Sequence, residues 1–322
     1  MPQKLSGTDY LCAKLQRMQF KAILAHREPY RKFLILVGLA LILAVLSSTL
    51  GTLIAQLISG IQIFGSALAL SDLNNPDVLL ALKIIQLFSA IGTFFIPSII
   101  AAHLFSDNVK EYLGATKKID VQQIILAVIL ILMIQPFVNW MSLINAGINL
   151  PDWLKALLNS PGNSAQMMTK ALMKGDSFIG LLFSCIVIAI IPAISEELIF
   201  RGVIQKLFID LAKNKHFGII LTATLFSAMH MDVAGFIPRF ALGAMLGYLY
   251  VWSGSIYLPM VAHFANNLLA FLMEIGKNKN ALSFDPDRLG VAPGQEMVLG
   301  ASVFLTWALL FLIRKISLQS KH

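Results

Sequence analysis

The chain alternates between long apolar runs and short polar connections. The runs are Phe33–Ile58, Leu79–Leu104, Val121–Ile144, Phe178–Phe200 or beyond, Phe217–Met231, Phe236–Trp252, Ile256–Met273 and Met297–Ile313. In the first, almost every residue is apolar or small, with neither strand alternation nor a helical stripe. About 20 such residues cross a bilayer as a helix. Helices are the expected form because lipid offers no partner to unpaired backbone groups. The pattern predicts an all-α fold, a polytopic transmembrane bundle of about eight helices.

The connections carry the charge asymmetrically. Lys4, Lys14, Arg17, Lys21, Arg27, Arg31 and Lys32 precede the first run, and Lys110, Lys117 and Lys118 follow the second. Arg201, Lys206, Lys213 and Lys215 follow the start of the fourth, and Arg314, Lys315 and Lys321 end the chain. The alternate loop Gly60–Asn75 has no Lys or Arg. Basic segments stay cytoplasmic, so both termini are expected inside; in a bacterium the membrane is the plasma membrane. The apolar core starts too late and runs too long for a cleavable signal peptide. Leu11, Leu15 and Met18, interleaved with Lys14, Arg17 and Lys21, fit an amphipathic surface helix and a solvated basic arm equally.

Composition agrees. The 322 residues are 57% hydrophobic and 13% charged, against about 25% charged in soluble domains. The net charge of +8 is accounted for by topology, so no nucleic-acid partner is expected; membrane lipid is. Cys12 and Cys185 belong to segments at different depths, which argues against a disulfide. In the outer loop, Trp153, Leu154, Leu157 and Leu158 fit the interface, with a turn at Pro161–Asn163. The Lys277–Pro293 loop reads as mobile. The chain divides into a basic tail (1–32), N-terminal spans with the outer loop (33–176), a core (177–275), and a last loop, span and tail (276–322).

Ionisable residues within membrane runs are expensive and read as functional by default. Three groups stand out: Glu196-Glu197 with Arg201, Phe226 with His230, and His263 with Asn267. Glu197 and Arg201 are one helical turn apart and can pair, while Glu196 points about 100° away. Each group also has a bland reading, as an interfacial marker or a packed histidine. Depth argues for convergence if the fourth helix bends at Pro192 and continues to about Leu211. Along their helices, Glu196 then lies ~25 Å from Lys213, His230 ~22 Å from Lys215 and His263 ~14 Å from Gly254. Helix tilt can close those differences. Gly243 and Gly247 form a GxxxG pair, read as a packing face.

Taken in order, Glu196-Glu197-Leu198-Ile199-Phe200-Arg201, Phe226-Ser227-Ala228-Met229-His230 and His263-Phe264-Ala265-Asn266-Asn267 resemble the EExxxR, FxxxH and HxxxN/D motifs of the CPBP (CAAX protease and bacteriocin-processing, or Abi) family of intramembrane proteases. The resemblance spans roughly Ile190 to Leu269. It implies peptide-bond hydrolysis, with Glu196 as general base, His230 positioning the water, and His263 and Asn267 donating to the oxyanion. Glu197 and Arg201 would hold the site in shape. Zinc held by Glu196, His230 and His263 is the competing arrangement, since two His and a carboxylate with an open position match a catalytic zinc site. Asn267 one turn after His263 favours the metal-free version. The implied substrate is a peptide or membrane protein, prenylated or not. The alternatives are a non-catalytic partner-binding or bacteriocin-immunity protein and a proton-coupled transporter.

Overall fold

The fold is described from a computed structural model, which defines residues 22–64, 70–149, 151, 167–173 and 177–319. Cys12, the basic stripe of Leu11 to Lys21, and the Trp153–Asn163 part of the outer loop lie outside the described residues. The main helices are α1 (Pro29–Ser59), α2 (Pro76–Phe105), α3 (Val121–Met133), α4 (Gln135–Ala146), α5 (Phe178–Ala212), α6 (Lys215–Ala228), α7 (Phe236–Ser253), α8 (Tyr257–Asn278) and α9 (Glu296–Gln319). No strand occurs among the described residues.

Every apolar run has become helix, but not every helix is a span. α1, α2, α5, α8 and α9 are long and apolar enough to cross a membrane. α3 and α4, bent by 44° to each other, are apolar enough to make a sixth crossing if the pair forms one span. That bend falls just before Pro136, where the missing N–H and the ring interrupt the helical ladder. α6 has 14 residues, about 21 Å of helix, short of the ~30 Å hydrocarbon core. The expected eight crossings are therefore five or six, with α6 and α7 as shorter helices packed within the bundle.

The surface is that of an integral membrane protein. α1 buries only Leu36, Gly51 and Ala55 and exposes Leu41, Ile42, Val45, Leu46 and Leu57. On α9, Phe304, Trp307 and Phe311 are likewise exposed. Apolar surface this extensive belongs against lipid rather than water.

Local chemistry sets where the helices start, bend and stop. Asn75 caps α2, its side chain accepting from the Asp77 N–H, with Pro76 in the first turn. α5 contains two single π-turns, Ile186–Ile190 and Phe200–Ile204. The first ends two residues before Pro192, and α2 repeats the device with Ile91–Phe95 two residues ahead of Pro97. A π-turn inserts one residue and so makes room for the proline ring within a continuing helix. The expected continuation of the fourth run through Pro192 is present, to Ala212.

Glycines set the closest approaches. A Cβ on Gly218 of α6 would lie 2.5 Å from the Ile209 side chain of α5. On α7, a Cβ on Gly243 would meet the Phe226 ring at 3.2 Å, and one on Gly247 would meet Gln205 at 2.6 Å. The two glycine carbonyls accept from Arg201 and Gln205 of α5, at 3.0 and 3.2 Å. The GxxxG pair is thus a packing face that also satisfies buried donors. The Lys277–Pro293 loop, expected to be mobile, is tethered instead. Asn139 Nδ2 donates to the carbonyls of Pro286 and Leu289, and Lys277 pairs with Asp287.

Candidate active site

The site is assembled around the ring of Phe226, near the end of α6. The Phe226 ring packs edge-on against Phe200 of α5 at 5.1 Å. It contacts the imidazoles of His230 at 5.0 Å and of His263 at 6.0 Å between centroids. The Arg201 guanidinium carbon sits 4.8 Å from its centroid. One aromatic residue therefore touches a side chain from each of the three sequence groups, carried by α5, by α8 and by the end of α6.

Glu197 and Arg201, one turn apart on α5, are both 0% exposed. Arg201 Nη1 donates to Glu197 Oε1 at 2.8 Å, and Nη2 donates to the Gly243 carbonyl. The same carboxylate oxygen lies 2.8 Å from Nδ1 of His263. A carboxylate can only accept there, so the proton resides on Nδ1 and Nε2 is turned the other way. His263 Nε2 then faces Glu196, whose Oε2 is 3.9 Å away. The series Arg201–Glu197–His263–Glu196 links α5 to α8, with the last gap too long for a direct hydrogen bond.

His230 is fixed in the same manner. Its Nδ1 donates to the Phe226 carbonyl at 2.9 Å, which leaves Nε2 as the nitrogen available for chemistry. The backbone leaves α6 at this point, and the next residue, Met231, has a left-handed φ of +48°. A non-glycine residue held there is strained by roughly 1–3 kcal/mol, a feature that clusters at functional sites. The loop that follows is clamped from α4. Asn145, 5% exposed, donates to the Val233 carbonyl and accepts from the Ile237 N–H.

A cavity of ≈ 220 Å³ opens on this cluster, lined by Phe226, His230, Arg239, His263, Asn266 and Asn267 among others. The carboxylate of Glu196 is not among its lining groups and meets it through His263. Asn267 Oδ1 accepts weakly from Asn266 at 3.4 Å, which leaves the Asn267 Nδ2 to donate. All seven site residues expected from sequence are thus brought to one neighbourhood. Glu196 stands beside His263. Three cavity or clamp residues escaped the sequence reading. Arg239 carried the usable signal, a cation inside the apolar run Phe236–Trp252; Asn145 and Asn266 carried little.

Glu197 engages Nδ1 of His263 and leaves its Nε2 free; among the described residues no three His, Cys, Asp or Glu side chains are grouped to hold one ion. The chemistry below uses the protein's own groups.

Comparison with known proteins finds similarity over the same stretch. A profile described as type II CAAX prenyl endopeptidase Rce1-like matches residues 178–269, from the start of α5 into α8. Residues 178–269 are therefore similar to the Rce1-like family. The stretch contains the whole Glu196–Glu197–Arg201, Phe226–His230 and His263–Asn267 constellation. Three Bacillus subtilis (strain 168) proteins are similar to the chain. "Uncharacterized protein YpbD" is 32% identical over 83 residues, 24% of the chain and 39% of its own length. "Uncharacterized protein YyaK" is 30% identical over 109 residues, 31% and 36% of the two lengths. "Putative membrane peptidase YdiL" is 28% identical over 97 residues, 30% and 39%. The matched stretch spans less than two-fifths of each relative. No solved structure matches the chain.

Proposed function

We propose that this protein is an intramembrane endopeptidase of the Rce1-like type, hydrolysing a peptide bond with a water activated between Glu196 and His263. The supporting observation is the geometry of that pair: Oε2 and Nε2 stand 3.9 Å apart, a separation that one water can bridge with a hydrogen bond to each. Such a water turns its lone pair away from both acceptors, toward the cavity. Glu196 takes the proton as the bond to the carbonyl carbon forms, then returns it to the leaving amine. Glu197, neutralised by Arg201, keeps His263 in one tautomer and orientation throughout. The amide of Asn267 faces the same cavity, where a donor can stabilise the developing oxyanion, and the free Nε2 of His230 can accept a hydrogen bond there.

The substrate enters from lipid on this reading. A second, almost wholly apolar cavity of ≈ 240 Å³ lies between α1 and α5, lined by Phe33, Val37, Leu41, Ile199, Phe200 and Met229 among others. Ile199 and Phe200 adjoin the Glu196–Arg201 turn, and Met229 adjoins His230. An apolar group attached near the scissile bond fits there. Orientation follows the basic residues: the N-terminus, the 106–120 connection and the C-terminus on the cytoplasmic side. Six crossings keep both ends on one face, as eight would.

Reconstituted protein should cleave a peptide carrying a farnesylated cysteine, read by mass spectrometry of both fragments. Exhaustive chelation should leave the rate intact. No cleavage of farnesylated or unmodified peptide by well-folded protein would remove the proteolytic reading, and loss of activity on chelation with recovery on added zinc would replace its water activation.

A further inference from the structure

Arg239 is the cavity residue for which the reaction above has no use. It sits in the first turn of α7, where the helix dipole disfavours a cation. Its Nη2 donates to Asp232 Oδ2 at 2.9 Å. Its Nη1 is buried and has no hydrogen-bond partner. A buried cationic donor left unpaired is costly, so the arrangement calls for a reason.

The surroundings hold the guanidinium in place rather than merely tolerating it. Asp232 is itself fixed, its Oδ1 accepting from the Ala234 N–H. Gly235 allows the pair to form: a Cβ there would lie 2.7 Å from both Arg239 Nη2 and Asp232 Oδ2. Asn145 pins the backbone on either side of this loop. One arm of the fork is thus anchored, the other is unpaired, and Arg239 lines the cavity that His263 and Asn267 also line.

A planar fork with a buried, unpaired N–H suits a carboxylate, the group that guanidinium binds best. The remainder of the wall is largely apolar, with Leu242, Met245 and Leu246 from the same helix. We propose that Arg239 is a specificity-determining residue that receives a carboxylate of the bound peptide. This deepens the proteolytic reading and rests on it for the nature of the ligand. Two sources share the chemistry: the free C-terminal carboxylate of a peptide, and an Asp or Glu side chain.

The test reads binding, so that it stays separate from hydrolysis. Full-length Glu196→Gln protein in nanodiscs is titrated with a dansylated apolar hexapeptide in three forms: C-terminal acid, C-terminal amide, and amide with Asp at the last position. The acid should bind at least about tenfold more tightly than the amide, ~1.4 kcal/mol. Arg239→Gln should bring that ratio to about one, and Arg239→Lys, which keeps charge but loses the fork, should fall between. Asp232→Asn, which can still accept from the Ala234 N–H, should also weaken the preference by releasing the guanidinium. If the Asp-bearing amide equals the acid, either carboxylate is received; if it equals the plain amide, only the C-terminal carboxylate is. Equal binding of acid, Asp-amide and plain amide, absence of binding by all three, or a preference that survives Arg239→Gln overturns the proposal. Cleavage by the wild type without any acid preference would leave the protease and remove this role of Arg239.

Discussion

Glu197 meets two demands with a single oxygen, neutralising Arg201 and orienting His263. Both partners are buried, so removing the carboxylate strands a charge where water cannot reach it. Glu197→Ala should cost about 3–5 kcal/mol, seen as a lower thermal unfolding midpoint in detergent, and should abolish cleavage. Replacing the pair together, Glu197→Leu with Arg201→Met, should recover much of that stability, since apolar pairs of similar volume are often as stable as a buried ion pair. It should recover no activity, because His263 remains unoriented. Recovery of both would make the pair purely architectural. The Glu197–Arg201 contact was legible from its four-residue spacing. The link from Glu197 to His263 was not, since the two are 66 positions apart and no local pattern fixes such a separation.

At the scale of elements, the site depends on how closely α6 and α7 approach α5. Gly243 faces Phe226, the ring that both imidazoles touch. Gly243→Val should therefore overpack this contact, costing about 1–3 kcal/mol, and should lower the cleavage rate by displacing Phe226. Gly300→Ala is the matched control on α9, where an added Cβ meets nothing within 4 Å; it should change neither the unfolding midpoint nor the rate. Equal effects from both substitutions would deny Gly243 any special place. Apolar runs announced these helices with good fidelity, and α5 continues through Pro192 as expected. Length was the weaker guide to crossing: α6 is apolar yet spans only 14 residues, because burial within the bundle selects apolar residues as strongly as lipid does. The tether of the Lys277–Pro293 loop was invisible in sequence for a related reason, since its anchor Asn139 lies on a distant helix.

For the whole molecule, the account requires six crossings, a defined orientation and three distant motifs gathered at one place. In a cysteine-free background, Ser71→Cys should react with an impermeant maleimide from outside the cell, and Lys118→Cys only in inverted vesicles. Labelling of both from one face would contradict the orientation. The gathering of the motifs is tested most directly by the cleavage rate of reconstituted Glu196→Gln protein, with its unfolding midpoint measured alongside. The account predicts a midpoint near that of the wild type and a rate lower by about 10²–10⁴-fold, the range of a lost general base. A variant that folds normally and cleaves at the wild-type rate would contradict it.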